Sequence, residues 1–130
     1  MADRLIEQTR EIYAAFNEGD FDSVIANADP EFEVHDRDRT GLVHRGADGW
    51  RSFIGEWMET WESYKVEILE IERNGDDVFV HLMQSGVGRE SGIEFSEPFS
   101  QVLTFRDEKV VRFAIFVDRA DAERAAGLHD

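Results

Sequence analysis

The order in which two periodicities appear constrains the fold of this chain more than any other feature. Helical spacing comes first and strand alternation mostly afterwards. Leu5, Ile6, Thr9, Ile12, Tyr13 and Phe16 share one helical face, with Asp3 placed to cap the start and Gly19 to end it. Phe21, Val24 and Ile25 suit a short second helix that Pro30 closes. Residues 31–36 alternate, Phe32 and Val34 on one side and Glu33 and His35 on the other, which predicts a short strand. The polar stretch 37–46, with glycines at 41 and 46, reads as a loop. A longer helix is expected over about 48–64, its apolar stripe carrying Trp50, Phe53, Ile54, Trp57, Met58, Trp61 and Tyr64.

Strands fill most of the remainder. Residues 65–73 alternate imperfectly, and Asn74-Gly75 is a hairpin signal because both residues tolerate positive φ. Further strands are expected over 78–87, 93–105 and 110–117, with Pro98 marking an edge or a bulge. Asp118 then caps a last short helix that Gly127 ends. Helices first and strands later predict an α+β fold with an antiparallel sheet, in one domain over 1–130.

Charge and cysteine usage narrow the function. The net charge of -15 argues against nucleic acid and against an anionic membrane face. Cysteine is absent, so disulfides, thiolate nucleophiles and cysteine metal sites are excluded. Met1-Ala2-Asp3-Arg4 does not start a secretory signal, and no stretch is long and apolar enough to span a bilayer, so a cytoplasmic location is expected. Asp36-Arg37-Asp38-Arg39-Thr40-Gly41 opens like a calcium loop, but its twelfth position is Ala47 rather than a bidentate Glu. His35 and His44 lack partners at zinc spacing. Gly86-Val87-Gly88 lacks the third glycine and the following helix of a dinucleotide site. No metal or cofactor is expected.

Several segments together resemble the SnoaL-like, nuclear-transport-factor-2-like superfamily. They are Asn17-Glu18-Gly19-Asp20 at the end of the first helix, Pro30-Glu31-Phe32-Glu33-Val34, Gly46 before the Trp/Phe-rich helix, residues 104–110, and Phe116-Val117-Asp118-Arg119. The resemblance covers nearly the whole chain. It implies a cone: a strongly bent antiparallel sheet wrapped by three to four helices, with an internal pocket and a tendency to pair as a homodimer. It also implies a small apolar or aromatic ligand. The superfamily contains isomerases, cyclases, epoxide hydrolases and proteins without catalysis, so fold alone leaves the function open.

The same resemblance supplies candidate site residues. Val34-His35-Asp36 falls where ketosteroid isomerases of the superfamily carry a general-base carboxylate, and an Asp among aromatics is expected to have its pKa raised by desolvation. The other reading of Asp36 is a loop-entry residue that pairs with Arg37 or Arg39. Gln101 falls where those enzymes hold an oxyanion donor, and otherwise is a polar residue satisfied within the sheet. Their helix-one tyrosine has no match here: Ile12 is nearest by spacing, and Tyr13 is one residue and about 100° away. No Asp-Arg-Asp set of the epoxide hydrolase kind is visible.

Phe99 and Leu103 share the Gln101 face, with Glu97 toward a rim, and Phe113, Ile115 and Val117 are expected on the adjacent strand. Phe16, Trp57 and Trp61 are expected to wall the ligand. Arg112, Ala114 and Phe116 would then face outward, toward a dimer partner. His81 is either a proton shuttle in the pocket or a structural residue, and Arg89 either pairs with Glu97, meets an anionic substrate or is exposed. The expected function is binding of an apolar ligand, with cofactor-free isomerase or cyclase chemistry, or the same fold used without catalysis for binding or dimerisation.

Overall fold

Asp3 opens the first helix, α1 (Arg4–Asn17), by accepting from the Leu5 and Ile6 amides. A computed structural model describes residues 3–37 and 40–128. The expectations that fall on Met1, Ala2, Asp38 and Arg39 lie outside the described residues. Gly19, at φ 78°, lets the chain leave α1 in a left-handed turn, with the Asp20 amide returning to the Ala15 carbonyl. Asp20 then caps α2 (Phe21–Val24) through the Ser23 amide. At the end of α1 the Asn17 side chain behaves as a piece of strand. Its amide donates to the Val66 carbonyl and its oxygen accepts from the Val66 amide.

The remaining elements are β1 (Ala28–Asp36), β2 (Val43–Arg45), α3 (Gly46–Glu59), β3 (Trp61–Asn74), β4 (Asp77–Gly88), β5 (Glu94–Arg106), β6 (Lys109–Phe116) and α4 (Arg119–Ala125). The strands form one sheet in the order β2-β1-β6-β5-β4-β3. The α+β class is as expected, with one departure. β1 runs parallel to β6, while every other pair is antiparallel. Register shifts within β1, β3 and β5 bend the sheet.

Each face of the sheet buries a different cluster. On the concave face Val34, Val66, Val80, Leu82, Leu103 and Phe113 pack with α1, α2 and α3. On the other face Phe79, Val102, Ala114 and Phe116 pack under Ala122 and Ala126 of α4 and its end. Ala114 and Phe116 are 5% and 4% exposed, so the outward face expected to meet a dimer partner is closed there by α4; Arg112 stays exposed.

Three local expectations are corrected. β1 begins at Ala28 and runs through Pro30, which sits in the register shift between Ala28 and Glu33 where a missing N–H breaks no ladder. The expected 37–46 loop contains β2, which closes a hairpin with Glu33, Val34 and His35. The third helix starts at Gly46 and stops at Glu59, so Trp61 and Tyr64 belong to β3, not to the helix. Arg89 marks that stop. Its guanidinium donates to the Glu59 and Trp61 carbonyls, at 3.1 and 2.8 Å, and ties the end of α3 to the β4–β5 connection. Arg89 therefore does not pair with Glu97; it is exposed, as one of its readings expected, with its head group held on these two carbonyls. Gly86 allows Trp61 to lie close, since a Cβ there would stand 2.5 Å from the Ser63 carbonyl oxygen and 3.0 Å from the indole. No helix among the described residues is long and apolar enough to cross a membrane.

Candidate functional site

Strand alternation aims one set of side chains into the space between the concave face and the helices. There a cavity of about 120 Å³ opens, walled chiefly by aromatic and aliphatic groups. Its polar lining is Tyr13, Asp36, Tyr64, Gln84 and Gln101, and no Arg or Lys lines it among the described residues.

Asp36 and Gln101 stand on one row of the sheet. Asp36 is opposite Ile115 across the parallel pair, and Ile115 is opposite Gln101 across the antiparallel one. Two strand spacings separate their backbones, about 10 Å. Ile115, between them, also lines the cavity, so a flat ligand over Ile115 has the carboxylate on one side and the amide on the other. Asp36 is 1% exposed, at the end of β1. The Thr40 hydroxyl donates to its Oδ2 at 3.1 Å, and its backbone carbonyl accepts from the Gly41 amide. The Arg37 guanidinium, 5.8 Å from the centre of the Phe116 ring, sits against a residue of the α4-side cluster.

Tyr13 is the site residue the sequence did not assign. Its hydroxyl donates to Gln101 Oε1, and burial pushes its pKa upward. With that oxygen occupied, the Gln101 amide has its two N–H groups left to donate. The available signal was a tyrosine on the buried stripe of α1, whose hydroxyl needs a partner. Ile12, the nearer match by spacing, lines the cavity as an apolar wall. A second phenol–amide pair repeats the pattern: the Tyr64 hydroxyl donates to Gln84 Oε1 at 2.7 Å.

The cavity brings together eight of the expected residues: Asp36, Gln101, Phe16, Trp57, Phe99, Phe113, Ile115 and Val117. Val117 is 62% exposed and stands at the rim. Three others do not reach it. Leu103 is fully buried in the core, one step along β5 from Gln101 on the same face. Trp61 lies behind the wall, its ring 5.6 Å from Trp57 and 5.5 Å from Tyr64. His81 faces the opposite side of the sheet, because Val80 and Leu82 take the inward positions of β4. Its Nδ1 is 2.9 Å from the Ser100 hydroxyl, and it stands opposite Glu70 of β3 in the strand register, so it is not a proton shuttle in this cavity. Glu97 is exposed opposite Gln84 and does not line the wall. Among the described residues no three His, Asp or Glu side chains cluster as metal ligands.

The sequence profile of the SnoaL-like domain matches residues 9–113, and the chain belongs to that family. Solved structures repeat the fold at low identity. An NTF2-like protein of unknown function from Burkholderia pseudomallei has a TM-score of 0.82 at 21% identity, over 96% of this chain and 98% of that one. TerC, co-crystallised with polyporic acid, has a TM-score of 0.80 at 19% identity, over 96% and 99%. A hypothetical protein from Catenulispora acidiphila with a ketosteroid isomerase-like fold, in complex with trimethylamine, has a TM-score of 0.77 at 17% identity, over 94% and 93%. No curated protein matches the sequence.

Proposed function

We propose that the cavity binds a small apolar or aromatic ketone and that the chain acts on it by cofactor-free acid–base chemistry. The observation that carries this reading is the shared row of Asp36, Ile115 and Gln101, with both polar ends lining one apolar cavity. Asp36 takes a proton from the carbon beside the carbonyl. The C–H electron pair becomes the enolate double bond, and charge moves to the carbonyl oxygen, where the Gln101 N–H groups receive it. Tyr13 holds the Gln101 oxygen and so fixes which end of the amide meets the ligand. Return of the proton to another carbon completes an isomerisation; attack of the enolate carbon on a second carbonyl forms the C–C bond, moves the C=O π pair to that oxygen, and return of the Asp36 proton to the resulting alkoxide completes an aldol-type cyclisation.

Proton exchange tests the reading without the natural substrate. With 1-tetralone in deuterated water, followed by NMR, the protein exchanges the protons beside the carbonyl faster than buffer does. Asp36→Asn and Gln101→Leu each lower that excess by about 100-fold. Variants as fast as the native chain would remove both residues from the mechanism.

A second reading rests on the Thr40 hydrogen bond, which gives the Asp36 carboxylate a structural task at the end of β1. The cavity then binds a ligand without turning it over, and 1-tetralone binds but exchanges no faster than in buffer. We also infer a homodimer, supported by the part of the outer face beyond α4. Met83 and His81 are only half-buried there, and Leu69 is 45% exposed on β3.

A further inference from the structure

The wall contains two phenol–amide pairs, and the proposed chemistry uses only one of them. Tyr64 and Gln84 both line the cavity, and the Tyr64 hydroxyl occupies Gln84 Oε1 as Tyr13 occupies Gln101 Oε1. In each pair the amide is turned by a tyrosine so that its N–H groups are left as donors. Gln101 is opposite Val80, and Gln84 lies four residues further along β4 on the same face. Their backbones are therefore separated by about 13 Å along the strand and one strand spacing across it. Between them the wall is apolar, with Phe99 beside Gln101 on β5 and Trp57 against the Tyr64 ring.

We propose that Gln84, oriented by Tyr64, is a second hydrogen-bonding subsite that selects ligands carrying an acceptor oxygen at the end remote from the reacting carbonyl. The inference rests on reading the cavity as a ligand site. With the two side chains standing parallel off one face of the sheet, a ligand that takes a hydrogen bond of about 2.9 Å at each end has its two oxygens about 8 Å apart. That is the length of a flat bicyclic aromatic body oxygenated at both ends. A polar group at the Gln84 end contributes specificity, because a ligand lacking it leaves a positioned donor without a partner.

The test compares 2-naphthol with 2,6-dihydroxynaphthalene by isothermal titration calorimetry, two probes that differ by one remote hydroxyl. The native chain binds the diol about fivefold more tightly, the ratio that one net hydrogen bond gives. Gln84→Leu brings the ratio to about one. Tyr64→Phe, which leaves Gln84 in place without its orienting phenol, lowers the ratio toward the Gln84→Leu value. If Gln84→Leu fails to fold, Gln84→Met makes the same measurement with a side chain of closer shape. Equal affinities in the native chain, or a ratio unchanged in the Gln84 variant, overturn the subsite and leave the cavity reading standing. Failure of both probes to bind the native chain overturns both.

Discussion

A phenol shut away from water keeps its proton, and Tyr13 is 7% exposed with its hydroxyl on Gln101. Burial raises its pKa above the ordinary 10.0. In the unfolded chain the same phenol ionises near its ordinary value, so above that pH the unfolded state binds fewer protons than the folded one. The stability linked to Tyr13 is whole below about pH 10 and falls by about 1.4 kcal/mol per further pH unit. Urea unfolding between about pH 9 and about pH 11 measures that slope, and Tyr13→Phe flattens it by the share of one proton. A slope identical in the variant would mean that the phenol titrates freely. Tyr13 also marks how much of the site was legible. Asp36 and Gln101 were named from the family resemblance, and on a strand such a match keeps its face because alternation has a period of two. A helix turns about 100° per residue, so a match one position out puts Ile12 in the place of Tyr13. His81 was ambiguous for a different reason. Phe79 on one side of β4 and Val78, Val80 and Leu82 on the other are all buried, and a strand covered on both faces shows no readable alternation.

At the scale of elements, α4 is a seven-residue helix that stands on packing and a cap more than on its own length. Asp118 accepts from the Ala120 and Asp121 amides at 2.8 and 3.3 Å, and Ala122, fully buried, sets the helix against Phe79, Val102 and Phe116. Asp118→Ala is expected to cost about 1 kcal/mol, read as a lower urea midpoint at unchanged slope. Because α4 covers the face opposite the cavity, tetralone exchange at low urea stays at the native rate in this variant. A loss of exchange with intact stability would place Asp118 in the chemistry instead. This helix was legible because its signals are local: Asp118 before it and Gly127 after it. The end of α3 was not. Trp57, Trp61 and Tyr64 continue the helical spacing of Trp50, Phe53 and Ile54, yet the chain straightens at Trp61, where Tyr64, Val66 and Ile68 take up strand alternation. The contacts at that end come from Arg89 and Gly86, more than twenty residues later in the chain, and a stop of that kind leaves no mark in a local window.

Across the whole molecule, the run from β3 to β6 was readable as an antiparallel meander from its turns, including Asp107 and Glu108, both at positive φ. The parallel contact of β1 with β6 was not, because it joins the first strand to the last and no turn announces it. It nevertheless makes the site, since it sets Asp36 two strands from Gln101. The surface charge acts at this same scale. Each chain carries a net -15, so two copies meeting through the outer face repel one another over a distance set by salt. The Debye length falls from about 30 Å at 0.01 M to about 8 Å at physiological ionic strength. Sedimentation equilibrium is therefore expected to show a mass twice the 15.0 kDa chain, with a dimer that tightens as sodium chloride is raised over that range. Met83 is half-buried on the outer face beside Pro98, so Met83→Glu adds charge where apolar contact is needed and shifts the equilibrium to monomer. A single 15.0 kDa species at every salt concentration would sink the dimer and leave the cavity to act within one chain.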